Sequence, residues 1–237
     1  MLKKIFVILS LFFFCQSVYA GGVSLGATRL IYPTEKNQIT LKIYNSDKDG
    51  NYLVQSWVSD DHEKKSTDFV ITPPLFVIKS NSDSLLNVVF TGDKEQLPKD
   101  REKLYYLNSK VIPSLTEQEQ KIDNALLIST TTKIKLIVRP SEIKGNSFES
   151  YKDLKCSYEN NKLRIDNPTP FYMNLVSLTI NGVEVSKAET IAPKTFIHIN
   201  SNDKSKKLFF NFINDYGVQI KNIQCRLCLI LEVYLCE

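Results

Sequence analysis

The sequence predicts an all-β protein made of two β-sandwiches. Three observations predict it. Short β-branched and aromatic runs recur along the chain, separated by polar segments and by Pro, Gly or Asn turns. Amphipathic helical periodicity is nearly absent. The series also resets once. A long extended run from Asn124 ends sharply at Pro140, polar residues follow to Tyr151, and a second series of strands then begins. The economical division is residues 1–20 as a leader, 21–140 as the first domain and 141–237 as the second.

The leader reads from charge and hydropathy. Met1-Leu-Lys-Lys4 is a basic start, and Ile5 to Cys15 is an almost wholly apolar core. Val18-Tyr19-Ala20 puts small residues where a signal peptidase reads. Eleven apolar residues are too few for a bilayer, which needs about 20, so a cleaved secretory signal is expected and membrane insertion is not. The formal charge of +4 falls to near +2 once Lys3 and Lys4 leave, which gives no warrant for nucleic-acid binding. Cys156, Cys225, Cys228 and Cys236 remain in an oxidising compartment. Four cysteines allow three pairings, and the sequence does not choose among them. Cys225-Arg-Leu-Cys228 has redox spacing but sits in a strand-like apolar run, without the helix N-terminus that lowers a thiol pKa. It reads as structural or idle. Two distant histidines, His62 and His198, give no basis for a zinc site, and no cofactor is expected.

Val23 to Tyr32 reads as one strand, closed by Pro33. Gln38 to Tyr44 alternates, with Ile39, Leu41 and Ile43 on one face. Tyr52 to Val58 carries the only Trp, and Phe69 to Ile71 leads into the rigid Thr72-Pro-Pro74. Phe76 to Lys79, Leu85 to Phe90 and Leu104 to Ile112 follow as strands. In the second half, strands are expected at Leu154–Tyr158, Lys162–Asp166, Phe171–Ile180, Val183–Val185, Phe196–Asn200, Leu208–Ile213 and Val218 to about Tyr234. Asn181-Gly182 between apolar runs is a type I′ hairpin signal.

The run from Asn124 to Pro140 is the outlier. Fourteen extended residues reach about 45 Å, against a usual strand of about 5–6 residues. Leu126, Ile128, Thr130 and Thr132 would share one face, and Ser129, Thr131, Lys133 and Lys135 the other. An unpaired edge of that length invites another chain to add to it.

Several blocks then resemble one family in order. Gly26-Ala-Thr-Arg-Leu-Ile-Tyr-Pro33, Tyr52-Leu-Val-Gln-Ser-Trp57, Thr72-Pro-Pro-Leu-Phe76 and Leu97-Pro-Lys-Asp-Arg-Glu102 are similar to the first domain of periplasmic pilus (fimbrial) chaperones of the PapD-like kind. Ile134-Lys-Leu-Ile-Val-Arg-Pro140, Asn167-Pro-Thr-Pro-Phe-Tyr172 and Ile213-Asn-Asp-Tyr-Gly217 continue the match. The short segment Ile112 to Asp123 and the lack of a Cys beside the long run resemble the short-loop subgroup. The tail after Gly217, with its three cysteines and apolar run, does not match well.

The resemblance implies two immunoglobulin-like domains set at an angle around a cleft, and a chaperone rather than an enzyme. Such a chaperone lends its long strand to a pilus subunit lacking its own last strand and passes the subunit to an outer-membrane usher. Leu126, Ile128 and Thr130 map to the donor positions, with Thr130 departing from the usual aliphatic residue. Arg29 and Lys135 map to cations that hold the subunit's C-terminal carboxylate. Glu102, Arg139 and Asp215 map to an ionic network between the domains. The free form is expected to be able to self-associate through the donor strand. Read without the resemblance, Leu126 and Ile128 would face this chain's own core, and Lys135, like Lys133, would be an edge-strand gatekeeper. The main rival function is a secreted adhesin or structural pilus subunit, which is also immunoglobulin-like.

Overall fold

A computed structural model describes residues 21–115, 127–159, 161–186, 189–201, 207–229 and 235–236. The expected leader (1–20) and donor residue Leu126 lie outside the described residues. In chain order the strands are β1 (Val23–Leu25), β2 (Arg29–Pro33), β3 (Ile39–Asn45), β4 (Tyr52–Ser59), β5 (Phe69–Thr72), β6 (Leu75–Ile78), β7 (Ser82–Phe90), β8 (Lys103–Pro113) and β9 (Thr130–Arg139). They continue with β10 (Lys155–Glu159), β11 (Lys162–Asn167), β12 (Met173–Ile180), β13 (Val183–Ser186), β14 (Glu189–Ile191), β15 (Thr195–Asn200), β16 (Leu208–Ile213), β17 (Gln219–Gln224), β18 (Arg226–Leu229) and β19 (Leu235–Cys236).

Sheets β1-β3-β7-β5 and β2-β9-β8-β4-β6 form the first sandwich, and β15-β11-β10-β18-β19 and β13-β12-β16-β17, with β14 on β12, form the second. The first core follows from the period-two pattern. Leu41 and Ile43 of β3 are buried, as are Leu86 and Val88 of β7 and Leu136 and Val138 of β9. Phe69 sits at its centre, with edge-on contacts to Phe90 and Tyr105 at ring distances of 5.1 and 5.0 Å. The second core gathers Leu163, Ile165, Leu178, Ile180 and Phe210, all buried, under the two sheets of that sandwich.

Four expectations need correction. The single strand over Val23–Tyr32 is two strands in opposite sheets: β1 pairs with β3, and β2 pairs in parallel with β9. The crossing occurs at Gly26, whose N–H reaches the Lys42 carbonyl at 2.7 Å. A Cβ there would lie 3.0 Å from that oxygen, so glycine permits the close approach.

The long run is not a strand throughout. β9 begins at Thr130, and its partnership with β8 ends at the Val111–Thr130 pair. Beyond that pair β8 offers no further register partner, and β2 covers only Lys135 to Arg139, so Leu127 to Ser129 have no ladder to join.

The expected strand from Phe171 starts at Met173, because the Asn167 side-chain amide donates to the Phe171 carbonyl and folds that segment into a turn. The final expected strand is broken at Cys225 into β17 and β18, and its residues 230–234 lie outside the described residues. Cys225 is joined to Cys156, which draws the chain from the β16–β17 sheet to run in parallel with β10. That disulfide also removes the redox reading of Cys225 and Cys228. The short strand β14 carries no signal in the sequence pattern. At the expected hairpin, Asn181 and Gly182 have φ of 51° and 84°, the two positive values a type I′ turn requires.

Candidate functional site: a cationic cleft and an unpaired strand end

The site is built where β2 and β9 run side by side. Their parallel register puts Arg29 directly beside Lys135. Both side chains reach toward the second sandwich. Arg29 Nη1 donates to the Ile213 carbonyl at 3.4 Å. Lys135 Nζ donates to Asn174 Oδ1 and to Thr190 Oγ1. Burial lowers the Arg29 guanidinium below its ordinary pKa, partly offset by Asp215. Burial, then the neighbouring Arg29, pushes Lys135 down to about 8. Arg29 Nε is buried and, among the described residues, has no hydrogen-bond partner. Two adjacent, partly desolvated cations with an unused donor make a site that favours an anion, and a carboxylate has the geometry to accept from both.

Alongside it lies the ionic network. Arg139 meets Glu102 at 2.6 Å and Asp215 at 2.9 Å. Glu102 also accepts from the Tyr172 backbone N–H at 2.7 Å, and Ser147 Oγ donates to Asp215 at 2.8 Å. The Glu102 side chain is 1% exposed. Burial pushes its carboxyl up to about 7 against the opposing pull of Arg139 and Tyr172. For Arg139, burial works downward but the two carboxylates outweigh it and hold the guanidinium above its ordinary value. The network ties β8 and β9 of the first sandwich to the turn after β16 in the second. A backbone hydrogen bond from Glu102 to the Pro170 carbonyl reinforces it. Arg29, Arg139 and Asp215 also line a cleft of about 490 Å³, walled by Tyr216 stacked on Phe148 at 5.2 Å.

Past Thr130, the described end of the long run is solvent-facing. Ile128 is 65% exposed and Leu127 46%. Thr130 is exposed as well. Ile128 therefore does not face this chain's core. Lys133 pairs with Glu63 at 2.7 Å and lies over Tyr106, a surface arrangement suited to an edge strand. The fold thus brings Arg29 and Lys135 together, brings Glu102, Arg139 and Asp215 together, and keeps Ile128 and Thr130 apart from both on a projecting edge.

Asn174, Thr190, Ser147 and Tyr172 were not singled out by sequence. Asn174 and Tyr172 lie within or next to matching blocks and were findable as polar residues there. Ser147 and Thr190 carried no local signal.

Two immunoglobulin-like sandwiches with a cationic cleft at their junction define a class of two-domain binding protein. Residues 22–144 match the family model "pili and flagellar-assembly chaperone, PapD N-terminal domain", and residues 149–224 match "pili assembly chaperone PapD, C-terminal domain". The chain belongs to this family of pilus assembly chaperones. It is 38% identical over 221 residues to the probable fimbrial chaperone LpfB of Escherichia coli O157:H7, covering 92% of this chain and 94% of that one. The crystal structure of the E. coli chaperone DraB is similar with a TM-score of 0.74 and 35% identity, over 87% of this chain and 97% of that one. A chain of the Salmonella enterica SafA pilin–SafB chaperone complex is similar with a TM-score of 0.75 and 33% identity, over 86% and 95%. These relatives disfavour the adhesin or structural-subunit reading.

Proposed function

We propose that this protein is exported by a cleaved leader, residues 1–20, to the periplasm. There it caps pilus or fimbrial subunits by donor-strand complementation and delivers them to an outer-membrane usher. Residues 21–140 form the chaperone domain and 141–237 the second domain. Leu126, Ile128 and Thr130 enter the subunit's groove, Arg29 and Lys135 hold its C-terminal carboxylate, and Glu102, Arg139 and Asp215 hold the two domains in place. The role is binding, without catalysis.

The observation that carries this reading is the pairing of Arg29 with Lys135 at one point on β9 while Ile128 lies exposed further back along the same chain. A clamp at one end and an apolar edge at the other fit an added strand that ends in a carboxylate. The clamp also sets register, since a slip of one residue would turn every donor side chain to the wrong face. That a similar chain, the SafB chaperone, is found in complex with a pilin supports a pilin as the partner.

The test is periplasmic co-expression with candidate pilus subunits, followed by co-purification. A soluble one-to-one complex is expected, and it is lost in Arg29→Ala and Lys135→Ala variants that still fold. Full subunit binding by both variants would overturn the clamp assignment.

A further inference from the structure

Residues 225–237 lie beyond both family-matched segments, yet they hold three of the chain's five cysteines. Cys225 is accounted for by its bond to Cys156. The other two, Cys228 and Cys236, fall on the terminal strands β18 and β19. These strands pair antiparallel, and the register sets Cys228 directly opposite Cys236, with Leu229 opposite Leu235.

That placement decides what the two thiols are able to do. Residues directly opposite in an antiparallel pair have Cα atoms about 5.5 Å apart if hydrogen-bonded and about 4.5 Å if not. Disulfides span Cα separations of about 4.4–6.8 Å. Both Cα separations fall inside that span, and opposed Cβ atoms, about 4.5–5.5 Å apart and closest in a non-hydrogen-bonded pair, meet the upper end of the roughly 3.5–4.5 Å that a disulfide takes. The alternatives are also few: once Cys156 and Cys225 are joined, one intramolecular pairing remains.

We infer that Cys228 and Cys236 form a second, cross-strand disulfide that closes the C-terminal hairpin. The two Sγ–H groups lose two protons and two electrons as one S–S bond forms. The electrons pass to a disulfide oxidant, protein or small-molecule, which is reduced to its dithiol by thiol–disulfide exchange. The bond has a structural task. β19 contributes two residues at the edge of its sheet, and a ladder that short does not hold itself in water. The covalent link keeps it as the fifth strand, beside the sheet that Cys156–Cys225 already ties to the end of β17.

The test uses the mature full chain purified from the periplasm, unfolded without reductant and treated with a maleimide, then digested with two proteases that cut at Arg226 and at Tyr234. No labelled cysteine is expected, together with a linked peptide pair containing Cys228 and Cys236 that separates on reduction. Labels on Cys228 and Cys236 with Cys156–Cys225 intact overturn the inference, as does a link from either residue to any other cysteine. Labels on all four overturn the oxidised state of the whole second domain. A Cys228→Ser/Cys236→Ser variant is expected to keep the Cys156–Cys225 linked peptide and to show faster amide exchange confined to β18 and β19. Unchanged exchange there removes the hairpin-closing role.

Discussion

Lys135 is shaped by its burial, by the Arg29 charge beside it, and by the two oxygens of Asn174 and Thr190 that accept its hydrogen bonds. Its ammonium titrates near 8 rather than at 10.5. A bound carboxylate favours the charged form, so binding is full below about pH 8 and weakens as pH rises through 8, by up to about tenfold per pH unit. Lys135→Arg keeps its charge throughout and flattens that profile. Subunit-peptide titrations between pH 6.5 and 9.5 check both outcomes. For the free protein the sign reverses. Between pH 8 and 10.5 the unfolded chain binds the extra proton, so this residue's contribution to stability rises with pH. Arg29→Ala and Lys135→Ala each remove charge-assisted hydrogen bonds of about 1.5–3 kcal/mol. Affinity is expected to fall roughly ten- to a hundredfold, with the far-ultraviolet circular dichroism of the free protein unchanged. Residue type and a family match were enough to find these two cations. Of the Lys135 acceptors, Asn174 lies beside a matching block, but Thr190 was not findable, because it meets Lys135 only through a strand that has no periodic signature.

At the scale of elements, β9 is one strand with two halves. From Lys135 to Val138 it is covered by β2 on one side and β8 on the other, whereas Thr130 to Ile134 has only β8. The half beside β2 is structural, and the half from Thr130 to Ile134 keeps one edge available. Ile128→Thr combined with Leu126→Thr removes two apolar side chains that contribute about 1.5–3 kcal/mol each when buried, part of which association costs offset. The complex is expected to weaken by more than tenfold in co-purification while the thermal midpoint of the free chaperone stays put. A large drop in that midpoint would return these residues to the chain's own core. Thr130→Val is expected to tighten the complex several-fold by filling its pocket better, with about 1 kcal/mol gained per buried methyl. Most strands were legible because β-branched and aromatic residues alternate between turn residues. The sheet crossing at Gly26 and the start of β9 at Thr130 were not. Composition reports whether a segment suits a ladder, but only the neighbours decide whether one is there.

For the whole molecule, relative domain placement rests on a few polar contacts. The Glu102–Arg139–Asp215 network is joined by an exposed Lys194–Asp100 bridge at 2.5 Å, of which the exposed pair contributes little. Glu102→Ala leaves Arg139 with only Asp215 and is expected to cost about 3–5 kcal/mol, read by chemical denaturation. Because the folded Glu102 titrates near 7 rather than at 4.5, its contribution is fully present below pH 4.5 and is lost as pH rises toward 7. Glu102→Gln removes that slope in denaturation midpoints between pH 4 and 8. The three charges and the supporting Tyr172 were legible one by one through the family blocks, but Ser147 carries no local signal and reaches Asp215 only in the fold. The internal bonds of Lys135 carry one more consequence. In the free protein two of the three ammonium N–H groups are taken by Asn174 and Thr190. The third, with the Arg29 Nε–H, remains to meet an anion. Under the proposed function, a carboxylate delivered at the end of an adding strand reaches these two donors on a tether, an advantage that dissolved acetate or phosphate lacks.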